Sequence, residues 1–70
     1  MEYKAVIYGD KTMVIYMPEP ITIKLPNEID YKSFKIIKII KRGNKKIIVA
    51  KLNVFELIAL FDEYIQHLKI

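Results

Sequence analysis

Turn-forming residues cut residues 1–52 into short apolar runs and leave residues 53–70 unbroken, and this punctuation settles most of what the chain can become. Glu2–Tyr8 and Thr12–Met17 are rich in β-branched and aromatic residues, and Gly9-Asp10-Lys11 between them is a hairpin signal. Pro18 and Pro20 bracket Glu19 and end the second run. Ile21-Thr22-Ile23-Lys24-Leu25 then alternates, with Ile21, Ile23 and Leu25 inward and Thr22 and Lys24 outward, until Pro26-Asn27 closes this third strand.

Residues 30–42 admit two readings. Asp30 as N-cap and Gly43 as stop would frame a helix that gathers Ile36, Ile37, Ile39 and Ile40 on one side. Isoleucine at this density favours a pleated surface instead, because branching at Cβ restricts χ1 and packs well in a sheet. Ser33 to Arg42 is therefore read as a strand. Gly43-Asn44 turns it into a second run, Lys45 to Leu52. A two-residue turn there pairs Ile40 with Ile47, Ile39 with Ile48, Lys38 with Val49 and Ile37 with Ala50. One face then carries Ile37, Ile39, Ile48, Ala50 and Leu52 as core. The other carries Phe34, Ile36, Lys38, Ile40, Ile47, Val49 and Lys51.

Residues 53–70 read as an amphipathic helix. Asn53 can cap it, Glu56 stands where a capping-box acid belongs, and Leu52 can staple onto Leu57. At helical spacing Val54, Leu57, Ile58, Phe61, Tyr64, Ile65 and Leu68 form one stripe, flanked by Leu60. Glu56, Ala59, Asp62, Glu63, Gln66 and His67 lie opposite. The fold expected is a small α+β domain spanning residues 1–70: about five antiparallel strands, barrel-like or open, with the C-terminal helix on one face.

At 70 residues, with 53% of them hydrophobic and no cysteine, the core alone must sustain folding, or a second copy must assist. The reading allows a homodimer. The apolar run at the N-terminus is too short for a signal peptide, and no stretch approaches a membrane span. The expected location is cytoplasmic. Isoleucine and lysine dominate, a bias of hyperthermophiles that points to an archaeon or one of its viruses or plasmids, although AT-rich genomes share it.

Catalysis finds little footing. Ser33 has no base in view, Gly9 and Gly43 are turn glycines and build no phosphate loop, and Asp62 and Glu63 point to different parts of the helix surface. His67 and Glu63 are spaced as an i, i+4 pair, but no third metal ligand lies near them. No enzyme, cofactor or metal is expected.

Charge is more informative. The net charge is +4, and it is unevenly spread. Residues 31–52 hold Lys32, Lys35, Lys38, Lys41, Arg42, Lys45, Lys46 and Lys51 with no acid, whereas residues 53–70 hold Glu56, Asp62 and Glu63 against Lys69. A field polarised in this way draws polyanions to one side. The bland counterpart is a solvated surface with lysines guarding β edges against aggregation. Lysines are point charges suited to phosphate and carry little base information, so contacts should be largely sequence-independent. Tyr3, Tyr8, Tyr16, Tyr31 and Tyr64 could stack on bases, though such residues more often complete a small core.

The order of hairpin, further strands and terminal helix on a lysine-rich chain resembles the small SH3-like chromatin proteins of Sulfolobus, without the tryptophan of their DNA face. Locally, Ile21 to Ile29 followed by Lys35–Ile40 and Lys46–Lys51 is similar to AbrB-type swapped-hairpin DNA binders, without their usual Gly-Asp before the second strand. The two likenesses imply incompatible folds, and each implies DNA. The expected function is a non-catalytic nucleic-acid-binding protein, architectural or regulatory, with duplex DNA favoured and Lys38, Lys41, Arg42, Lys45, Lys46 and Lys51 as its contacts. The alternative is a protein-interaction module that presents Phe34, Ile36, Ile40, Ile47 and Val49, as in an accessory subunit of an archaeal complex or a viral inhibitor of a host protein.

Overall fold

The computed structural model describes residues 1–68, with side chains described through residue 66. Leu68 and His67 of the expected helix faces, the His67–Glu63 pair and Lys69 thus lie outside the described side chains. Strands β1 (Glu2–Tyr8), β2 (Thr12–Met17), β3 (Glu19–Lys24), β4 (Lys35–Arg42) and β5 (Lys45–Asn53) form one antiparallel sheet in the order β3-β2-β1-β5-β4. Helix α1 (Val54–Leu68) follows β5 directly and packs on one side of the sheet. The expected α+β fold is present in its open form. The sheet does not close as an SH3-like barrel would. The hairpin of β4 and β5 pairs with β1 of the same chain, so no swap is needed to complete it.

Residues directly opposite in an antiparallel ladder share a face, so the registers sort every strand residue. Ala5, Ile7, Met13, Ile15, Ile23, Ile48, Ala50 and Leu52 are buried on the covered side. Residues 25–34 cross that side from one sheet edge to the other. Leu25 and Phe34 are buried there, and Ile29 and Tyr31 pack against the same cluster. Asp30 caps only the single 3-10 turn Tyr31–Ser33, accepting from the Lys32 N–H at 2.9 Å, before the isoleucine-rich run extends as β4.

β3 begins at Glu19, earlier than the proline pattern implied, and Pro20 pairs with Tyr16 inside it. An edge strand tolerates this because its outer N–H groups need no partner. Gly43, at φ 60°, takes the first central position of the two-residue β4–β5 turn, where glycine avoids the Cβ clash.

The capping box forms in both directions: Asn53 N–H donates to Glu56 Oε1 at 2.9 Å, and Glu56 N–H donates to Asn53 Oδ1 at 2.8 Å. The buried face of α1 is rotated from the centre of the expected stripe. Leu57 and Leu60 are buried and Phe61 and Tyr64 half-buried, but Val54, Ile58 and Ile65 remain exposed. The apolar arc is wider than one sheet contact covers, and packing selected half of it. Leu60→Ala should therefore cost about 2–5 kcal/mol, whereas Ile65→Ala should change stability by about 0.5 kcal/mol or less. Urea denaturation of both variants in dilute solution checks the rotation; equal losses would refute it.

Candidate nucleic-acid interface

The side of the sheet away from α1 is open. By register it carries Glu2, Lys4, Val6 and Tyr8 of β1, Thr12, Val14 and Tyr16 of β2, and Thr22 and Lys24 of β3. β4 and β5 add Lys35, Lys38, Ile40, Arg42, Lys45, Ile47, Val49 and Lys51. Val6, Val14, Ile40, Ile47 and Val49 are half-buried by their neighbours alone and form an apolar centre. Cations surround that centre. The only strand carboxylate on the face is Glu2, and Lys35 lies 3.8 Å from it.

The structure divides the expected site residues. Lys38, Arg42, Lys45 and Lys51 share the open face with Ile40, Ile47 and Val49. Lys41 and Lys46 are opposite each other on the covered side, near the β4–β5 turn. Lys46 is further withdrawn, since its Nζ donates to Tyr31 Oη at 3.3 Å and lies 5.7 Å from that ring centroid. Phe34 and Ile36 do not belong to the face. A β-bulge between Ile36 and Lys38 makes Ile36, not Ile37, the partner of Ala50. One extra residue reverses the side on which every earlier side chain lies. Phe34 consequently enters the core at 7% exposure, Ile36 goes to the covered side, and Lys35 comes round to the open side.

That reversal completes a row of cations. Lys4 of β1 is opposite Lys51 of β5, which is opposite Lys35 of β4, so three lysines stand in register across three neighbouring strands. Arg42 and Lys45 form another like-charged pair at the turn. Like charges in direct cross-strand register are destabilising, and Glu2 beside Lys35 offsets this at one end of the row. Lys4 also reaches over the Tyr16 ring, 5.6 Å from its centroid. Tyr16 and Tyr8 are 40% and 41% exposed and stand at opposite ends of the β1–β2 pair.

Lys4, Lys24 and Lys35 were not among the expected contacts, and Tyr8 and Tyr16 were named only as rings that could stack. Alternation within each strand was visible, but which strand lies beside β5 was not. Comparison with protein families, curated proteins and solved structures finds no match to the chain. Among the described residues, no three metal-ligating side chains converge, and no helix is long and apolar enough to cross a membrane.

The β1–β2 turn borders the face. Asp10 accepts from the Thr12 N–H at 3.0 Å. That bond, then one from the Thr12 hydroxyl, then the Lys24 ammonium at 4.0 Å hold its carboxyl below the ordinary 3.8. Lys24 Nζ also donates to the Asp10 carbonyl at 2.9 Å, which ties β3 to the turn. A depressed folded-state pKa contributes stability above the unfolded value and loses it as pH falls through the folded one. Asp10→Asn should thus flatten the loss of stability below pH 3.8 and leave the slope at neutral pH unchanged, as read from urea midpoints across an acid series.

The like-charged row makes a second expectation. Lys51→Gln, at the middle of the row, should stabilise the fold by about 0.2–1 kcal/mol, the range of a cross-strand pair. Thermal melting at low salt measures this, and the gain should shrink as salt screens the charges. A destabilised variant would mean that packing of the lysine stem outweighs the repulsion.

Proposed function

We propose that this chain is a non-catalytic nucleic-acid-binding protein whose open sheet face receives the sugar–phosphate backbone. The observation that carries the reading is the Lys4–Lys51–Lys35 row, three lysines in direct cross-strand register on the side that α1 leaves bare. A local excess of positive charge of this kind attracts a polyanion, whose binding releases condensed counterions. The cations ring a broad face and do not line a narrow groove, an arrangement suited to the two backbones of duplex DNA. Their chemistry supports contact without base selection, because lysine offers no planar fork to match a base edge. A protein-interaction role is the second reading. It is favoured by Ile36, Ile37 and Ile39, which stay exposed on the edge strand β4.

The test is electrophoretic or fluorescence binding across a salt series. With about four to six phosphates contacted, log affinity for duplex DNA should fall with log salt at a slope of roughly −4 to −5. Lys38→Gln with Lys51→Gln should reduce the slope by about two. Lys46→Gln should move it by less than one unit, since that ammonium leans onto Tyr31 away from the face. Scrambled duplexes of equal length should bind within a few-fold. No affinity for duplex or single strands at about 50 mM salt, where the electrostatic contribution is strong, would reject the reading and leave the protein partner in first place.

A further inference from the structure

The segment that crosses the covered side leaves a cavity of about 350 Å³ where it meets β1 and β5 near their turns. That lies at the lower end of the range of small-molecule sites, roughly 300–1,000 Å³. Its floor is aliphatic: Ile7, Leu25 and Ile48 are buried, and Ile29 is half-buried beside them. Lys11, Asn27, Tyr31 and Lys46 bring polar groups to the lining.

The hydrogen bonds among those four engage the acceptors and leave donors. Lys11 Nζ donates to Asn27 Oδ1 at 2.7 Å, and Lys46 Nζ donates to Tyr31 Oη at 3.3 Å. Each ammonium keeps further N–H groups, and the Asn27 amide and the Tyr31 hydroxyl keep protons to give. Asp30 is the acid of the lining, and its Oδ1 already accepts the Lys32 N–H at 2.9 Å. Two ammonium groups against one carboxylate leave a single unit of positive charge. Donors of that net charge above an aliphatic floor suit an amphipathic monoanion.

The backbone of Lys11 is a second and independent sign. It stands at φ 70°, in the left-handed region that disfavours any residue with a Cβ. Glycine is the usual occupant of such a position in a three-residue hairpin loop. The Lys11 N–H donates to the Tyr8 carbonyl at 3.0 Å, and the Lys11 carbonyl accepts from the Leu25 N–H at 2.8 Å, so the conformation is pinned on both sides. Strain of this kind gathers at ligand sites. Here it sets a lysine into the cavity lining where glycine would fold more readily.

We propose that this cavity binds a small apolar monocarboxylate, its hydrocarbon body on Ile7, Leu25, Ile29 and Ile48 and its carboxylate held by Lys11 and Lys46. Lys46, which the registers withdraw from the open face, thereby gains a role of its own. A neighbouring cavity of about 380 Å³ shares Lys11, Leu25 and Asn27, but its Lys24 ammonium is engaged by Asp10, 2.9 Å from the carbonyl and 4.0 Å from the carboxylate. The proposal does not rest on the nucleic-acid reading.

Titration of the full chain with 3-phenylpropanoate, followed by methyl NMR, tests it. Saturable binding in the millimolar range or tighter is expected of so small a ligand, with shifts concentrated at Leu25, Ile29 and Ile48. Lys11→Gly and Lys46→Gln should each weaken binding about three-fold, and together about ten-fold, the scale of exposed ion pairs. The neutral 3-phenylpropanamide should bind the unaltered chain about ten-fold more weakly than the acid for the same reason. Lys41→Gln, opposite Lys46 but outside the lining, should keep the wild-type affinity. Lys11→Gly should also melt no lower than wild type, because glycine relieves the positive φ; if it fails to fold, Lys46→Gln decides alone. No saturation at the solubility limit of the probe, equal affinity for acid and amide, unchanged binding by the lysine variants, or shifts confined to the open face would each overturn the proposal.

Discussion

The ladder between β1 and β5 runs from Glu2–Asn53 to Tyr8–Ile47 and joins the first strand to the last at the centre of the sheet. β2 and β3 attach to it on one side and β4 on the other, and α1 leaves from its last residue. Burial follows from this pairing. Ala5 and Ala50 are both fully buried and lie opposite one another, small residues that let the segments above approach the centre of the sheet. The ladder pairs residues 2–8 with 47–53, so its closure entropy must be met by burial elsewhere, although that cost grows only slowly with loop length.

A single layer of helix and crossing segment covers one side of the sheet. With no cysteine and few residues, stability depends on the cluster formed by Met13, Ile15, Leu52 and Leu60, all fully buried. Among the described residues, no charged or polar side chain enters it. The charges are displaced to surfaces where water solvates them, and the registers concentrate the positive ones on the open side. The edge-guarding role of lysine and the proposed polyanion-binding role are thus not exclusive on β4. Lys38 protects an exposed edge and also faces the open side, and the bulge beside it disrupts the ladder that an unwanted strand would extend.

Local signals foretold local structure well. The capping box at Asn53, the turn at Gly43-Asn44 and the strand character of the isoleucine-rich run each depend on residues a few positions apart, whose side chains meet whatever the rest of the chain does. Three of the four expected β4–β5 pairs, Lys38–Val49, Ile39–Ile48 and Ile40–Ile47, stand in the structure because the turn sets them. The fourth failed at Ile37, where a bulge entered that no local propensity demanded. Through it Phe34 and Ile36 left the expected face, and Lys35 entered it.

What the sequence by itself determined is the set of elements, their order, and the segregation of basic strands from an acidic helix, since propensity, caps and charge are written locally. Only the tertiary structure decided which side of each strand faces water, which half of the helix's apolar arc is buried, and which lysines stand in a row. Those outcomes depend on pairings between residues as distant as Lys4 and Lys51. A shift of one residue anywhere along a ladder exchanges its two faces, and no short-range pattern encodes the choice.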